Sequence, residues 1–243
     1  MELVKDPDVT SGTPLGRRIV LGMVGLGAIG VVTGRWLQGG EQRVLGSVQS
    51  RDPTGLSQLV PAGGGFRFYS VAESVPKRTA ANYRLTVTGL VQRPAQLTLA
   101  DLGQLHQTTL VADFQCVTGW RVPAVHWAGV SLPDLLTYVG VADGATALRL
   151  SSFDGTYTES LTLAQAHRSD ILVATRMLGA PVTHEHGGPV RLYVAPMYGY
   201  KSIKWLDRIE LTNQVEPGYW EHLGYDVDAW VGRSNGRDDD PTS

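Results

Sequence analysis

Short stretches of alternating hydrophobic and polar residues, interrupted by glycine and proline, characterise the chain from residue 66 onwards. Residues 83–88 alternate and are followed by Gly89, which is typical of a half-buried strand that ends in a turn. Similar stretches of strand-forming residues predict further strands at 147–152, 190–195 and 203–211.

Three hydroxyl residues mark the starts of predicted helices. Thr98 is followed by an acid at position 101, and Ser131 and Thr162 stand in the same relation to an acid or amide three residues on. A side-chain oxygen at such a position can accept a hydrogen bond from the first free amides of a helix. Short strands interspersed with capped helices predict an α+β domain with a mixed sheet rather than a repeated strand–helix array.

The first 36 residues contain a hydrophobic core that predicts an export signal. Residues 19–34 carry no charge, and as a helix they would span about 24 Å, which is short for a membrane span. Arg17 and Arg18 directly precede this core, and the arrangement resembles a twin-arginine signal. Arg35 follows without a small-residue cleavage site, so residues 1–36 are predicted to be a signal or a retained membrane anchor. The protein would then be periplasmic or otherwise extracytoplasmic.

A second interpretation of the same segment stays open. Residues 25–30 form a G-x-G-x-x-G string, and Asp52 follows at the distance expected for a dinucleotide-binding turn. This pattern would indicate a nicotinamide-dependent dehydrogenase. Gly22 within the supposed first strand and the missing strand–helix alternation favour the export signal. Residues 37–65, broken repeatedly by glycine and proline, are predicted to be a linker.

Composition excludes several classes of function. The formal net charge is −2, from 21 basic and 23 acidic residues, so no basic excess exists to bind a nucleic acid backbone. Cys116 is the single cysteine. One cysteine cannot form an intrachain disulfide or a multi-cysteine zinc or iron–sulfur site. Cys116 is therefore either an unreactive buried thiol or a residue that takes part in the chemistry of the protein.

The sequence around Cys116 carries a recognisable motif. Residues 116–120 read Cys-Val-Thr-Gly-Trp, and residues 127–136 read Trp-Ala-Gly-Val-Ser-Leu-Pro-Asp-Leu-Leu. This pair resembles the sulfite oxidase superfamily of molybdopterin enzymes. The resemblance implies that Cys116 is a catalytic residue and the thiolate ligand of a molybdenum ion, and a soft thiolate suits a metal that prefers sulfur.

Two further motifs follow downstream, at residues 186–196 and 198–206. Both are similar to the segments that cradle molybdopterin in the superfamily. Arginine, lysine and adjacent backbone amides are suited to the terminal phosphate of the pterin. The resemblance therefore implies cofactor contacts for His186, Arg191, Lys201, Ser202, Ile203 and Lys204.

Weaker matches add four candidate residues. Arg67 and Tyr69 stand in an aromatic segment that packs along the pterin in the superfamily, and Ser151, or its neighbour Ser152, occupies the place of a hydroxyl near the cofactor. Arg121 lies five residues beyond Cys116, as does an anion-binding arginine of sulfite oxidases, although an ordinary surface arginine fits equally well.

His184 and His186 would share one face of a strand, but no third protein ligand accompanies them. We therefore expect no metal site there and assign a role to His186 only, in binding the pterin.

The resemblance runs from about residue 66 to residue 230, and residues 66–232 are predicted to form the molybdopterin-binding domain. It places the chain with the compact bacterial members, which include protein-methionine-sulfoxide reductases. Residues 233–243 are predicted to be a disordered tail. It implies one molybdenum cofactor per chain and oxygen-atom transfer, either sulfoxide reduction or sulfite-type oxidation. It also implies a haem-containing or quinone-linked electron partner at the membrane, and a monomer. A cofactor-less binding module of the same fold is the remaining alternative.

Overall fold

The computed structural model describes residue 71 and residues 75–236. Several predicted features fall outside these residues: the signal or anchor, the glycine string at 25–30, the linker, Arg67, Tyr69, and the tail beyond residue 236. The strands are β1 (Leu85–Gly89), β2 (Ala95–Leu97), β3 (Thr108–Gln115), β4 (Arg121–Ser131), β5 (Ala147–Ser152), β6 (Thr158–Thr162), β7 (Ile171–Met177), β8 (Ala180–Pro181), β9 (Arg191–Val194) and β10 (Leu206–Thr212). The helices are α1 (Leu99–Gln104), α2 (Leu132–Val139) and α3 (Leu163–Ala166), and 3-10 turns lie at Gly199–Lys201 and Glu221–Leu223.

The strands form two sheets. The first has the order β2-β1-β10-β5-β6, and its β1 and β10 run parallel while the other neighbours run antiparallel. The second has the order β3-β4-β7-β8, with β9 also paired to β7. The predicted α+β fold with mixed pairing is therefore confirmed.

All three predicted helix starts carry the expected caps. Thr98 and Thr162 each form a reciprocal capping box with the residue three positions on, and the Ser131 side chain accepts a hydrogen bond from the amide of Asp134. Because these bonds satisfy amides that a helix start leaves without a partner, the local sequence alone specifies where each helix begins.

The strand predictions were correct for β5 and close for β1 and β9, but the one at 203–211 was wrong at its start. Strand β10 begins at Leu206, because the backbone of Trp205 has a positive φ of 54° and its amide bonds to Gly187 instead of a neighbouring strand. Strands β3, β4, β6 and β7 were not predicted.

Two groups of buried side chains form the core. The larger one packs β1, β5, β10 and α2 together through residues such as Leu85, Leu135 and Leu148. The smaller one lies on the second sheet and contains the stacked rings of Trp127 and Tyr193, whose centroids are 4.3 Å apart. Burial of each such side chain contributes about 1.5–3 kcal/mol.

At the end of the described chain, Asn235 hydrogen-bonds to the Tyr200 hydroxyl and to Asp226. Residues 233–236, which the sequence placed in a disordered tail, thus take part in the domain. Among residue 71 and residues 75–236, no helix is long and apolar enough to cross a membrane.

Candidate functional site

Cys116 lies directly after β3, on a tight loop that connects β3 to β4. Its amide donates to the carbonyl of Trp120 (2.9 Å), and its carbonyl accepts from the amide of Gly119 (3.0 Å). Gly119 has a φ of 101°, a conformation that favours glycine. The thiol is partly exposed, and its sulfur lies 3.1 Å from the hydroxyl of Thr118. The loop therefore presents the sulfur at the surface of the domain with a hydroxyl beside it.

Aromatic rings connect this loop to the downstream motifs. The rings of Phe114 and Trp120, at the two ends of the loop, are stacked with centroids 5.7 Å apart. The guanidinium of Arg191 lies 5.5 Å from the centroid of Phe114 and 5.4 Å from that of Trp127. Phe114 and Arg191, 77 positions apart in the chain, are thus neighbours in the fold.

Arg191 is a buried cation, 2% exposed. Its Nη1 donates to the carbonyl of His186 (2.8 Å) and its Nη2 to the carbonyl of Ser202 (2.9 Å). Within residues 75–236 it forms no ion pair with a carboxylate. Burial lowers its pKa to about 10, so the group remains charged at neutral pH. A buried positive charge of this kind favours an anionic partner.

The positive charge of Arg191 lowers the pKa values of two further basic side chains. Burial and then repulsion by Arg191 lower the pKa of Lys204 to about 7, against the opposing effect of Asp154. Burial lowers the pKa of His186 as well, with Arg191 and Lys204 adding to the effect. The structure therefore brings together His186, Arg191 and Lys204 in a region of positive potential.

Glycine allows the two segments that carry these residues to approach closely. Gly187 has a φ of 95°, and a Cβ at this position would lie only 2.6 Å from the Cβ and Cγ of Lys204. Its carbonyl accepts the amide of Trp205 (2.9 Å). A side chain at residue 187 would push Lys204 out of place.

Ser202 and Ile203 support this region from within. The Ser202 hydroxyl accepts the amide of Val194 (2.9 Å), and Ile203 is 1% exposed. The amides of both residues donate to carbonyls of the 3-10 turn, those of Gly199 and Lys201. These two amides therefore form hydrogen bonds within the turn.

Two of the remaining candidates, Lys201 and Ser152, have partners within the protein. Lys201 is fully buried and contacts two carboxylates, those of Glu159 and Glu221. Ser151 is partly exposed in β5, and the Ser152 hydroxyl accepts the amide of Asp154 (3.1 Å).

Arg121 begins β4 and forms an ion pair with Asp113. The Arg121 side chain is half exposed, whereas that of Asp113 is nearly buried. The other carboxylate oxygen of Asp113 accepts the amide of Ala124 (2.8 Å) and its backbone carbonyl accepts the Tyr193 hydroxyl (2.6 Å). Asp113, on β3, therefore holds Arg121 and the start of β4 in place next to Cys116.

His184 and His186 lie in a turn rather than on a strand, so the expected alternation was wrong. The carbonyl of His184 accepts the indole N–H of Trp205 (2.7 Å), which holds this turn on the downstream motif. In the part of the chain that the structure describes, no three His, Cys, Asp or Glu side chains are grouped as metal ligands.

The residues that support the site were not predicted from the sequence. Trp120 and Trp127 stand inside the recognised motif, where a buried aromatic role could have been read from their positions. Asp113, Glu159 and Glu221 carry no comparable signal, because the residues they contact lie up to 80 positions away in the chain, as Tyr193 does from Asp113.

Comparison with known proteins identifies the domain. A sequence model for the oxidoreductase molybdopterin binding domain matches residues 72–220. The chain is 35% identical over 150 residues to an uncharacterized oxidoreductase, YuiH, of Bacillus subtilis, covering 61% of this chain and 75% of that protein. It is 30% identical to the sulfite oxidase of Arabidopsis thaliana, over 59% of this chain and 45% of the relative.

A second bacterial relative is the putative protein-methionine-sulfoxide reductase subunit YedZ1 of Azospira oryzae, at 30% identity over 75% of this chain and 70% of that protein. Among solved structures, the sulfane dehydrogenase SoxCD of Paracoccus pantotrophus has a similar fold, with a TM-score of 0.55 and 24% identity. The similarity covers 59% of this chain and 41% of that one.

Proposed function

The chain belongs to the oxidoreductase molybdopterin-binding family, within the sulfite oxidase superfamily, and from this membership we propose that it transfers an oxygen atom to or from a small substrate at a molybdenum ion bound by Cys116. The reaction is either reduction of a sulfoxide, free or protein-bound, or oxidation of a sulfite-type oxyanion. The main support for the proposal is the position of Phe114. Its ring stacks on Trp120 of the Cys116 loop and also contacts the buried guanidinium of Arg191.

The residues present fit the cofactor. A pterin with a terminal phosphate needs positive charge that the protein does not neutralise internally, and Arg191 offers a buried guanidinium without a carboxylate partner in residues 75–236. Lys204, whose pKa is about 7, adds to this charge when it is protonated. The pKa of His186 is lowered, so its imidazole is mainly neutral at neutral pH and offers a hydrogen bond rather than a charge. Gly187 allows the two segments that carry these residues to approach. These residues would hold the phosphate end of the cofactor, with Ser202 and Ile203 as their scaffold.

Cys116 would hold the metal end. When bound, the molybdenum cofactor supplies the two-electron chemistry of oxygen-atom transfer, which no protein side chain provides. The thiolate of Cys116 is a soft ligand on a constrained loop, and the hydroxyl of Thr118, 3.1 Å away, can donate a hydrogen bond to its sulfur. Such a bond withdraws charge from the sulfur and so adjusts the potential of a metal bound to it.

We further propose one molybdenum per chain and electron exchange with a haem-containing or quinone-linked partner, because the described domain contains no arrangement of side chains for a second metal centre. Arg67, Tyr69 and Ser151 remain proposed cofactor contacts. Export by the N-terminal segment, with retention at the membrane, and a monomeric state also remain proposals.

Metal analysis tests the proposal most directly. Protein made in a host that synthesises molybdopterin should contain close to one molybdenum per chain and reduce a sulfoxide or oxidise sulfite. Cys116→Ser should keep bound pterin, because the phosphate contacts are intact, but lose activity by several orders of magnitude. A wild-type protein without molybdenum, or an active and metal-replete Cys116→Ser variant, would contradict the proposal.

A further inference from the structure

Trp205 carries a large buried ring at a backbone position that favours glycine. Its φ is 54°, in the left-handed region, and the residue is only 1% exposed. A bulky residue with a positive φ is uncommon, because its Cβ then lies too close to the following carbonyl oxygen. The strained backbone therefore indicates that the indole side chain has a role at this position that glycine could not fill.

Three hydrogen bonds fix Trp205 in this conformation. Its amide donates to the carbonyl of Gly187 (2.9 Å), and its carbonyl accepts the amide of Phe153 (2.8 Å). Its indole N–H donates to the carbonyl of His184 (2.7 Å). Two of the three bonds thus tie Trp205 to the turn at 184–187, which carries part of the proposed phosphate site.

The left-handed turn also places the ring of Trp205 against the preceding side chain. In an extended chain, neighbouring side chains point to opposite faces of the strand. Here Nζ of Lys204 lies over the indole ring, 4.5 Å from its centroid. A cation within about 6 Å of a tryptophan face is attracted to it, and most strongly where water is excluded. The indole ring is therefore one of the groups that stabilise the ammonium of Lys204.

The stem of the Lys204 side chain is confined as well. A Cβ at residue 187 would lie 2.6 Å from Cβ and Cγ of Lys204, so the backbone of Gly187 packs directly against this stem. A long side chain loses conformational entropy when a ligand fixes it, and a side chain that is already fixed loses less. Contact with Gly187 and with the ring of Trp205 therefore prepares Lys204 to bind an anion.

Arg191, Asp154 and His186 are charged or titratable groups that interact with the ammonium of Lys204. Burial has the largest effect on Lys204 and favours the neutral amine, Arg191 adds to this effect, and Asp154 opposes it; the pKa is lowered to about 7. Burial and then Arg191 lower the pKa of His186, and Lys204 adds to that effect. The attraction of the indole ring acts against the effect of burial on Lys204, because a ring face stabilises only the protonated form.

We propose that Trp205 is a positioning residue of the phosphate site, which holds the ammonium of Lys204 on its ring and the turn at 184–187 on its indole N–H. The role rests on the proposed function, in which Lys204 and Arg191 bind the terminal phosphate of the pterin. The ammonium keeps its contact with the ring when the phosphate binds, so the ring and the anion bind the same cation. Loss of the ring should then weaken anion binding at every pH, and more strongly where Lys204 begins to lose its proton.

The first test measures the binding of inorganic pyrophosphate to the full chain, made in a host that cannot synthesise molybdopterin. Trp205→Leu removes the ring and the N–H, whereas Trp205→Phe removes the N–H and keeps a ring. At pH 6 we expect Trp205→Leu to bind about threefold to tenfold more weakly, because one long side chain is no longer held in place. Above pH 7 the difference should grow by about another tenfold, because the lysine of this variant loses its proton about one pH unit earlier. The pH profile of Trp205→Phe should stay close to that of the wild type.

The ratio of wild-type to variant affinity cancels the titration of pyrophosphate itself. Trp230→Leu is the matched control, because the ring of Trp230 carries the guanidinium of Arg168 at 5.5 Å and lies outside the phosphate site. This variant should change neither the affinity nor its pH profile. If Trp205 were only a structural support, Trp205→Leu would weaken binding by the same factor at every pH. That result would overturn the proposal, as would wild-type affinity in Trp205→Leu.

Fluorinated tryptophan at residue 205 keeps the shape of the ring and therefore provides a second test if Trp205→Leu does not fold. Each fluorine draws electron density from the ring face, so pyrophosphate affinity above pH 7 should fall stepwise with the number of fluorines. Site-specific incorporation leaves the other tryptophans of the chain unchanged. An affinity that is independent of fluorination would overturn the proposal, and so would a wild type that does not bind pyrophosphate. A wild type that binds pyrophosphate but takes up no molybdenum in a host that makes molybdopterin would count against the proposed function instead, and the fluorinated series would still decide the role of Trp205.

Discussion

The guanidinium of Arg191 donates a 2.8 Å hydrogen bond to the carbonyl oxygen of His186. Its second terminal nitrogen donates to the carbonyl of Ser202 (2.9 Å). Arg191 therefore connects two segments, at His186 and at Ser202, that lie on either side of β9 in the chain. The guanidinium is thus both a support for the turn at 184–187 and the central charge of the proposed phosphate site.

We expect Arg191→Lys to lose cofactor although the charge is kept. An ammonium on a shorter stem cannot reach both carbonyls, and each buried carbonyl without a partner costs about 1–3 kcal/mol. The melting temperature of the cofactor-free protein and the retained molybdenum should both fall. Arg208→Lys, at an exposed position on β10, is the control and should change neither. Full molybdenum occupancy in Arg191→Lys would show that cofactor binding does not need the two simultaneous hydrogen bonds of the guanidinium.

Gly187→Ala should damage the site more than an alanine at an open glycine. Both Gly187 (φ 95°) and Gly179 (φ 79°) have positive φ values, so alanine costs about 1–2 kcal/mol of backbone strain at either position. At residue 187 the new methyl also meets Lys204, whereas nothing lies within 4 Å at residue 179. Overpacking adds about 1–3 kcal/mol. Denaturant unfolding and molybdenum content of the two variants measure the difference, and equal effects would argue against the close contact.

Lys204 should make the stability of the cofactor-free protein depend on pH. Its pKa is about 7 in the folded protein and near its ordinary value when unfolded. Between these values the unfolded chain binds more protons, so the contribution of Lys204 to the free energy of unfolding rises with pH, by up to about 1.4 kcal/mol per pH unit. The difference between wild type and Lys204→Met isolates this slope from Glu159, whose raised pKa acts in the opposite direction. Parallel pH profiles for the two proteins would contradict the assignment.

Binding of inorganic pyrophosphate to the cofactor-free protein should weaken as pH rises above 7, because Lys204 loses its charge. The weakening should disappear in Lys204→Met. Calorimetric titration at constant ionic strength measures both affinities, and an affinity that is independent of pH in the wild type would place the phosphate away from Lys204.

Asp113→Asn should release Arg121 for anion binding. The side-chain oxygen of asparagine can still accept the amide of Ala124, so we expect a loss of only about 1 kcal/mol in stability. Without its carboxylate partner, Arg121 should bind sulfate roughly ten times more tightly, equivalent to about 1.4 kcal/mol. Adding Arg121→Gln to this variant should remove the gain. A gain that persists in the double variant would mean that another group binds the anion.

The local sequence determined the features that depend on neighbouring residues. Thr98, Ser131 and Thr162 cap helices as predicted, because a cap needs only a side-chain oxygen and amides two or three positions away. The alternation at 147–152 gave β5 with its observed bounds, since one face of the strand is buried. Cys116 was recognised as the candidate metal ligand because the motif around it is contiguous.

Only the tertiary structure decided which charges remain available. By residue type, Arg121, Arg191, Lys201 and Lys204 are equivalent candidates for an anion, and the sequence contains no signal that ranks them. The fold places carboxylates against Arg121 and Lys201, and surrounds Arg191 with carbonyls and aromatic rings. Electrostatic energy depends on distance and burial, which long-range packing sets, so residues far apart in the chain determine whether a basic side chain binds a ligand or completes an internal ion pair.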